Sequence, residues 1–334
     1  TDRLTLAALN GDQIKAFITA WYKALVEAGE KTPAQGAGLS DQLQQAAGGA
    51  LRELARNPML LTIMALVQTY HGTLPKGRAK LYQACVETLL LRWQQSKETA
   101  VSDDLPRTLA ELGLTKEIIE PLLWEIGYEA HTGQSEQKKA ADIPEERVMA
   151  LAKQQLGDYA KAEAFVKYTE RRAHLLLGRG GTTGRLFSFP HRTFQEYLAG
   201  CHLVRQPRFG RKAIPLAQAG DRWREVLLLA AGDLVFNQKR PDLLFDALEK
   251  MLPKMPSDPG DTPGWQQIWR TGEMLAVVDR KRIEADEVGR DLLPRLRQEL
   301  AALLTHGQLT PPERAAAGQT LARLGDLRPG VGLK

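Results

Sequence analysis

One change of hydrophobic period, in the second half of this 334-residue chain, limits the possible folds most. Apolar residues recur at helical spacing over most of the sequence, but 173–177 and 185–189 are short apolar runs on either side of the glycine-rich segment 178–184. Such a pattern predicts a β-hairpin with a flexible tip. Helical spacing returns at Phe194 and Leu198. We therefore expect a mainly α-helical fold with one small hairpin, and no central sheet of four or more strands.

His191 lies where the predicted hairpin passes into the next helix, so its imidazole is placed near a helix N-terminus. Unpaired backbone N–H groups and the helix dipole favour anions at such a place, and an imidazole can donate a hydrogen bond to a phosphate there. A polar residue at this position can equally serve only as a helix cap. Both interpretations stay open on spacing alone.

Charge and cysteine content argue against several classes of protein. The chain has 45 basic and 40 acidic residues, and this balance of +5 is too small over its length to indicate nucleic-acid binding by itself. Cys85 and Cys201 fall in apolar helical patterns, which predicts buried thiols in a reducing cytoplasm. The six histidines lack ligand spacing, so we expect no metal site. No apolar run reaches the ~18 residues of a membrane span.

Helix signals occur on both sides of the hairpin. Asn57 before Pro58 predicts a helix start, because the amide side chain can cap and the proline tolerates the first turn. The segment 31–49 is loop-like or weakly helical, and 104–172 is helical throughout. Beyond about residue 220 the pattern is helical again.

A weak internal repeat is visible in this last region. Gly232, Gly272 and Gly318 are 40 and 46 positions apart by their numbers, a period typical of HEAT-type helix pairs. The spacing favours an α-superhelical, HEAT-like end of the chain.

Nucleotide-hydrolysing machinery is not encoded here. The glycine-rich segment 178–184 is followed by Arg185 instead of the Lys-Ser/Thr pair of a phosphate loop, and it lies between two predicted strands, whereas a phosphate loop runs from strand into helix. No other G-x-x-x-x-G-K-[S/T] occurs, and no apolar strand ends in paired acids that could hold magnesium. We therefore predict no catalytic residues, and no nucleotide or metal bound by this chain alone.

Four ordered stretches resemble the NACHT family of STAND-type NTPases, which includes NOD-like receptors and many bacterial defence proteins. They are Q-I-x-x-F-I-x-x-W-Y at 13–22, L-x-x-L-A-x-N-P-x-L-L at 51–61, G-x-L-P-x-x-R-x-x-L-Y at 72–82 and F-x-H-x-x-F-Q-E-Y-L-A at 189–199. The resemblance covers roughly residues 4–235.

The resemblance, together with the repeat of the last region, implies three domains: a helical lid at 1–103, a winged-helix domain at 104–205 and an α-superhelical domain at 206–334. It also implies two cofactor-binding residues. The histidine that matches His191 contacts the β-phosphate of ADP in animal receptors, and the proline that matches Pro58 packs near the adenine, although Pro58 also suits a first helical turn by itself. Gln195, Glu196 and Tyr197 are expected to hold the winged helix against the following helices.

The implied partners are an N-terminal nucleotide-binding core, which would hold ADP or ATP with Mg²⁺, an effector domain, and further copies of the protein after activation. The end of the chain resembles the segment before a formylglycine-generating-enzyme-like or C-type-lectin-like module. The implied function is regulatory: the chain couples the ADP or ATP state of an ATPase to opening and oligomerisation, in bacterial defence or signalling.

Two other functions stay open. A nucleic-acid-binding module could use the winged helix and the basic run of Arg205, Arg208, Arg211 and Lys212, although a solvated loop accounts for that run equally. A passive helical-repeat scaffold would have no nucleotide linkage.

Overall fold

The computed structural model describes residues 8–95 apart from 50 and 76, residues 109–133, and residues 142–328 apart from 182, 183, 255 and 257. The chain divides into two compact units, residues 1–91 and 92–334. The predicted domain boundary at 103/104 lies outside the described residues. Within the described ranges, every helix is too short or too polar to cross a bilayer.

The first unit is built from helices. They are α1 (Gly11–Glu27), α2 (Pro33–Gly48), α3 (Arg52–Ala55), α4 (Pro58–His71) and the start of α5 (Arg78–Gln95). The segment left open as loop or weak helix is mostly α2, because Thr32 and Gln35 form a reciprocal capping box and Pro33 occupies the first turn. Inside the unit, the Tyr22 hydroxyl donates to Gln68 Oε1 at 2.9 Å and joins α1 to α4.

The predicted helix start at Asn57–Pro58 is confirmed. The Asn57 side chain accepts hydrogen bonds from the backbone N–H groups of Met59 at 3.0 Å and Leu60 at 3.1 Å. Pro58 occupies the first turn of α4, where no intrahelical donor is needed. The N–H of Leu9 donates to the Arg56 carbonyl at 2.7 Å, so the chain that enters α1 lies beside this helix start.

The second unit begins with an alternation of helices and short strands. Its elements are α6 (Lys116–Thr132), β1 (Ile143–Pro144), α7 (Glu145–Leu156), α8 (Tyr159–Arg171), β2 (Leu177–Gly181), β3 (Gly184–Ser188) and α9 (Arg192–Arg205). The strands form one antiparallel sheet in the order β1-β3-β2. Two helices between a short strand and a hairpin are the arrangement of a winged helix, so the predicted hairpin and the mainly helical fold class are confirmed.

The first strand of the hairpin begins later than the sequence indicated. It starts at Leu177, because the residues from Ala173 onward close the preceding helix instead. The backbone N–H of Ala173 donates to the Tyr168 carbonyl at 3.1 Å, and that of Leu175 donates to the Thr169 carbonyl at 2.9 Å. The apolar character of this run reflects burial under α8, and the prediction of a strand over 173–177 was wrong.

The glycines predicted as a flexible tip largely belong to the strands. Gly178 pairs with Phe187, and Gly180 pairs with Arg185, in the register of an antiparallel ladder. Strand β1, Ile143–Pro144, was missed from the sequence because two residues are too few to show a hydrophobic period.

Helices make up the rest of the second unit. They are α10 (Phe209–Ala217), α11 (Arg224–Gly232), α12 (Pro241–Met251), α13 (Thr262–Leu275), α14 (Arg280–Ala285), α15 (Glu287–His306) and α16 (Pro311–Leu324), with a 3-10 turn at Gly220–Trp223 and a π-helical turn at Asp233–Asn237. Trp265 and Trp269 of α13 are buried in one core with Leu300 of α15.

The glycines of the suggested repeat differ in their surroundings. A methyl group at Gly272 would lie 2.9 Å from Leu300 Cδ1, whereas one at Gly318 would meet no atom closer than 3.9 Å. The HEAT-like description of this region stays a prediction.

Candidate functional site

His191 is the N-cap of α9. Its backbone is extended, with φ −149° and ψ 145°, as an N-cap requires. Its Nδ1 accepts a hydrogen bond from the Thr193 N–H at 3.2 Å and lies 2.8 Å from the Thr193 hydroxyl oxygen. The cap that the sequence offered as one interpretation is therefore present.

The cap also determines which ring nitrogen of His191 carries the proton. Because Nδ1 accepts from the Thr193 N–H, the neutral ring is protonated at Nε2. Partial burial lowers the pKa of His191, which favours this neutral form at pH 7. Among the described residues, no hydrogen bond occupies Nε2–H. Capping and ligand binding can therefore use different atoms of one side chain.

One turn beyond His191, Gln195 binds a buried histidine of α6. The Gln195 amide donates to His131 Nδ1 at 3.1 Å, and His131 Nε2–H donates to the Arg222 carbonyl at 3.0 Å. Nη2 of Arg222 donates in return to the carbonyls of His131 and Thr132, at 2.5 and 2.6 Å. His131 is fully buried, and this burial lowers its pKa to about 4. The ring is therefore neutral at pH 7.

Aromatic rings pack around the contact of α6 with α9 and the 3-10 turn. Tyr128 stacks on His202 of α9 with ring centroids 4.9 Å apart, and it meets Trp223 at 5.5 Å. The Trp223 and His131 rings form a T-shaped pair with their centroids 4.5 Å apart. Helix α6, helix α9 and the 3-10 turn are thus packed together around the His131 ring, whose two nitrogens are both paired.

A second polar anchor holds the far end of α9. The buried carboxylate of Asp233 accepts from Arg205 at 2.8 Å and from Gln238 at 2.7 Å, and the Cys201 thiol lies 3.6 Å away. Burial raises the pKa of the Cys201 thiol, so this cysteine is a protonated core residue, as predicted. The other predicted buried thiol, Cys85, is also buried and free.

Residues 78–203 match the family model of the winged helix-turn-helix domain C-terminal to NACHT. This part of the chain is a winged-helix domain of the type that follows NACHT. The match runs from the start of α5 almost to the end of α9, so it includes His191. It begins inside the segment predicted to be the helical lid, and the division of the chain into domains stays a prediction. No curated protein matches the chain.

This NACHT-associated domain implies an N-terminal NACHT core as a partner. Pro58, the other predicted cofactor-binding residue, belongs to the first unit, whereas His191 belongs to the second. Pro58 is half-buried, and its carbonyl accepts from the Thr62 hydroxyl at 2.9 Å. The nucleotide role of both residues stays a prediction.

The basic run begins at the last residue of α9 and continues into α10, and its four residues are exposed. The Arg205 guanidinium is bound to the buried Asp233 and lies 3.9 Å from the centre of the Trp124 ring, while Arg205 itself stays exposed. Lys212 donates to Gln206 at 3.1 Å. Two of the four cations, those of Arg205 and Lys212, therefore have partners within the chain.

The motif residues expected to hold the winged helix in place, Gln195, Glu196 and Tyr197, make structural contacts. Gln195 binds α6, Glu196 accepts from Arg192 at 2.7 Å, and the Tyr197 hydroxyl accepts from Asn237 at 3.4 Å. Only the last of these bonds reaches the following helices. Gln195 instead holds α9 against the first helix of the winged-helix domain.

Sequence reasoning missed the two buried polar centres, His131 and Asp233. A signal for His131 existed: it continues, at a spacing of four, the buried stripe of α6 that contains Leu123 and Gly127. A histidine at such a position is expected in the core. No group of three or more His, Cys, Asp or Glu residues in the described part of the chain could hold a metal ion.

Proposed function

We propose that this chain is the regulatory part of a STAND-type NACHT ATPase and that His191 senses the nucleotide held by the NACHT core. In this proposal, Nε2–H of His191 donates a hydrogen bond to the β-phosphate of ADP. The observation that carries it is that Nδ1 of His191 caps α9 while Nε2–H has no hydrogen-bond partner among the described residues.

The residues present fit a phosphate. A neutral N–H donor at the N-terminus of α9 is helped by the positive end of the helix dipole. Glu196 lies one turn further on, but Arg192 neutralises it through a 2.7 Å ion pair. The nucleotide and its Mg²⁺ would be held by the core, with Pro58 near the adenine. This chain would add a contact and no catalytic group.

A contact made in only one nucleotide state shifts a two-state equilibrium. The His191 bond would stabilise a closed, ADP-bound form, and its loss would favour opening and self-assembly. In the whole protein, this switch would serve bacterial defence or signalling through an effector domain.

The arginines of the β-hairpin and of the end of α9 give no support to nucleic-acid binding. Arg179 is paired with Asp142, Arg185 is paired with Glu145 and Glu170, and Arg205 faces Asp233. Phosphate contacts by these arginines would require the breaking of existing ion pairs. We therefore favour the nucleotide-sensing function.

Two substitutions of His191 test the proposal, in the protein that includes the NACHT core. His191→Ala removes cap and donor together, whereas His191→Ser keeps a good N-cap without the reach of Nε2. A hydrogen bond to a charged group is worth about 1.5–3 kcal/mol, so both variants should bind ADP about ten- to a hundredfold more weakly. Both should also assemble without stimulus. Only His191→Ala should lose about 1 kcal/mol of stability.

Other results would support the rivals. If His191→Ser binds ADP like the wild type and only His191→Ala melts earlier, the residue is a cap and the scaffold interpretation stands. Salt-sensitive DNA binding by the chain itself would support the nucleic-acid module.

A further inference from the structure

The Gln195, His131 and Arg222 side chains form a connected group, which we call the His131 junction. It joins α9, α6 and the 3-10 turn Gly220–Trp223. Gln195 lies four residues after His191, in the first turn of α9 that follows the cap. The junction therefore holds the turn that follows the His191 cap.

The junction has little freedom to rearrange. His131 uses both ring nitrogens, and the acceptor role of Nδ1 requires the proton at Nε2, which then binds the Arg222 carbonyl. The Arg222 side chain binds the carbonyls at the C-terminus of α6, a favourable place for a cation. Because His131 and Gln195 are buried, removal of one partner leaves a polar atom without a substitute from water.

We propose that Gln195 and His131 are positioning residues that set the place of the His191 donor relative to the helices that begin at residue 220. This inference rests on the proposed function of His191. A rearrangement that withdraws Arg222 would loosen the start of α9 and weaken the ADP contact. By reciprocity, ADP bound at His191 would strengthen the Arg222 bonds. The arrangement of the helices after residue 220 would thus change the affinity for ADP.

The test replaces Gln195 with methionine, which keeps the length of the side chain and removes its amide. The control is Arg205→Gln, which weakens the other anchor of α9 at its far end. In this chain, hydrogen exchange of the Thr193 amide reports the His191 cap directly. Gln195→Met should speed this exchange at least about fivefold, the lower end of typical coupling between sites. Arg205→Gln should leave it unchanged even if it lowers the melting temperature equally.

In the protein that includes the NACHT core, Gln195→Met should also weaken ADP binding at least about fivefold. This loss should vanish in a His191→Ser background, because both changes act through one contact. Losses that add, or unchanged Thr193 exchange in Gln195→Met, would overturn the inference.

If the proposed function is wrong, His191→Ser leaves the ADP affinity intact. The Thr193 exchange rate then still decides whether Gln195 positions the His191 cap. Should Gln195→Met not fold, Arg222→Lys at the half-exposed end of the junction replaces it, with the same expected results.

Discussion

At Gly127, helix α6 approaches α9 closely, and these two helices carry His131 and Gln195 of the His131 junction. A methyl group at residue 127 would lie 2.6 Å from Leu198 Cβ and 3.2 Å from the Ala199 nitrogen. Both neighbours are fixed to the α9 backbone, so no side-chain rotation can relieve the clash. We predict that Gly127→Ala destabilises the second unit.

The magnitude follows from two opposing effects. Ordinary carbon contacts lie at about 3.5–4.0 Å, so the helices must separate by roughly 1 Å. Overpacking of this kind costs about 1–3 kcal/mol, and alanine returns up to about 1 kcal/mol of helix propensity. We expect a net loss of about 1–2 kcal/mol. At about 2–4 °C per kcal/mol for a unit of this size, the melting temperature should fall by about 2–8 °C.

Urea denaturation followed by tryptophan fluorescence measures this loss. The matched control is Gly318→Ala in α16, where the nearest atom to the new methyl group is Leu304 Cδ1 at 3.9 Å. This variant gains the same helix propensity without a clash, so it should be more stable than the wild type by up to about 1 kcal/mol. If Gly127→Ala were as stable as Gly318→Ala, the close approach of α6 and α9 would be refuted.

Two further predictions concern a cap and a buried histidine. Asn57→Ala should cost the first unit about 1 kcal/mol in thermal or urea unfolding, while Asn57→Asp keeps the cap and most of the stability; equal values for the two variants would contradict the cap. The pKa of His131 is lowered to about 4 in the folded chain from an ordinary value of 6.5, so the unfolded chain binds this proton first as pH falls. Stability should therefore decrease by up to about 3 kcal/mol between pH 6.5 and 4 relative to His131→Gln, and parallel pH profiles for the two proteins would disprove this.

The features that were predicted correctly depend on neighbours in sequence. The Asn57 cap acts on N–H groups two and three residues ahead, and His191 caps an N–H two residues ahead. The hairpin was visible because its two strands are adjacent in the chain. The start of β2 was misplaced because Ala173 and Leu175 are apolar for a different reason, their burial at the end of α8.

The sequence by itself therefore determined the helical class, the winged-helix hairpin, the caps and the place of His191 at a helix start. Only the tertiary structure decided which of the scattered histidines is buried and what it binds. His131 and Arg222 are 91 residues apart, and Arg205 and Asp233 are 28 apart. No periodicity relates such positions, because the pairing depends on how whole helices pack. That packing, which at Gly127 leaves no room for a methyl group, determines which polar side chains are buried and therefore need a partner within the protein.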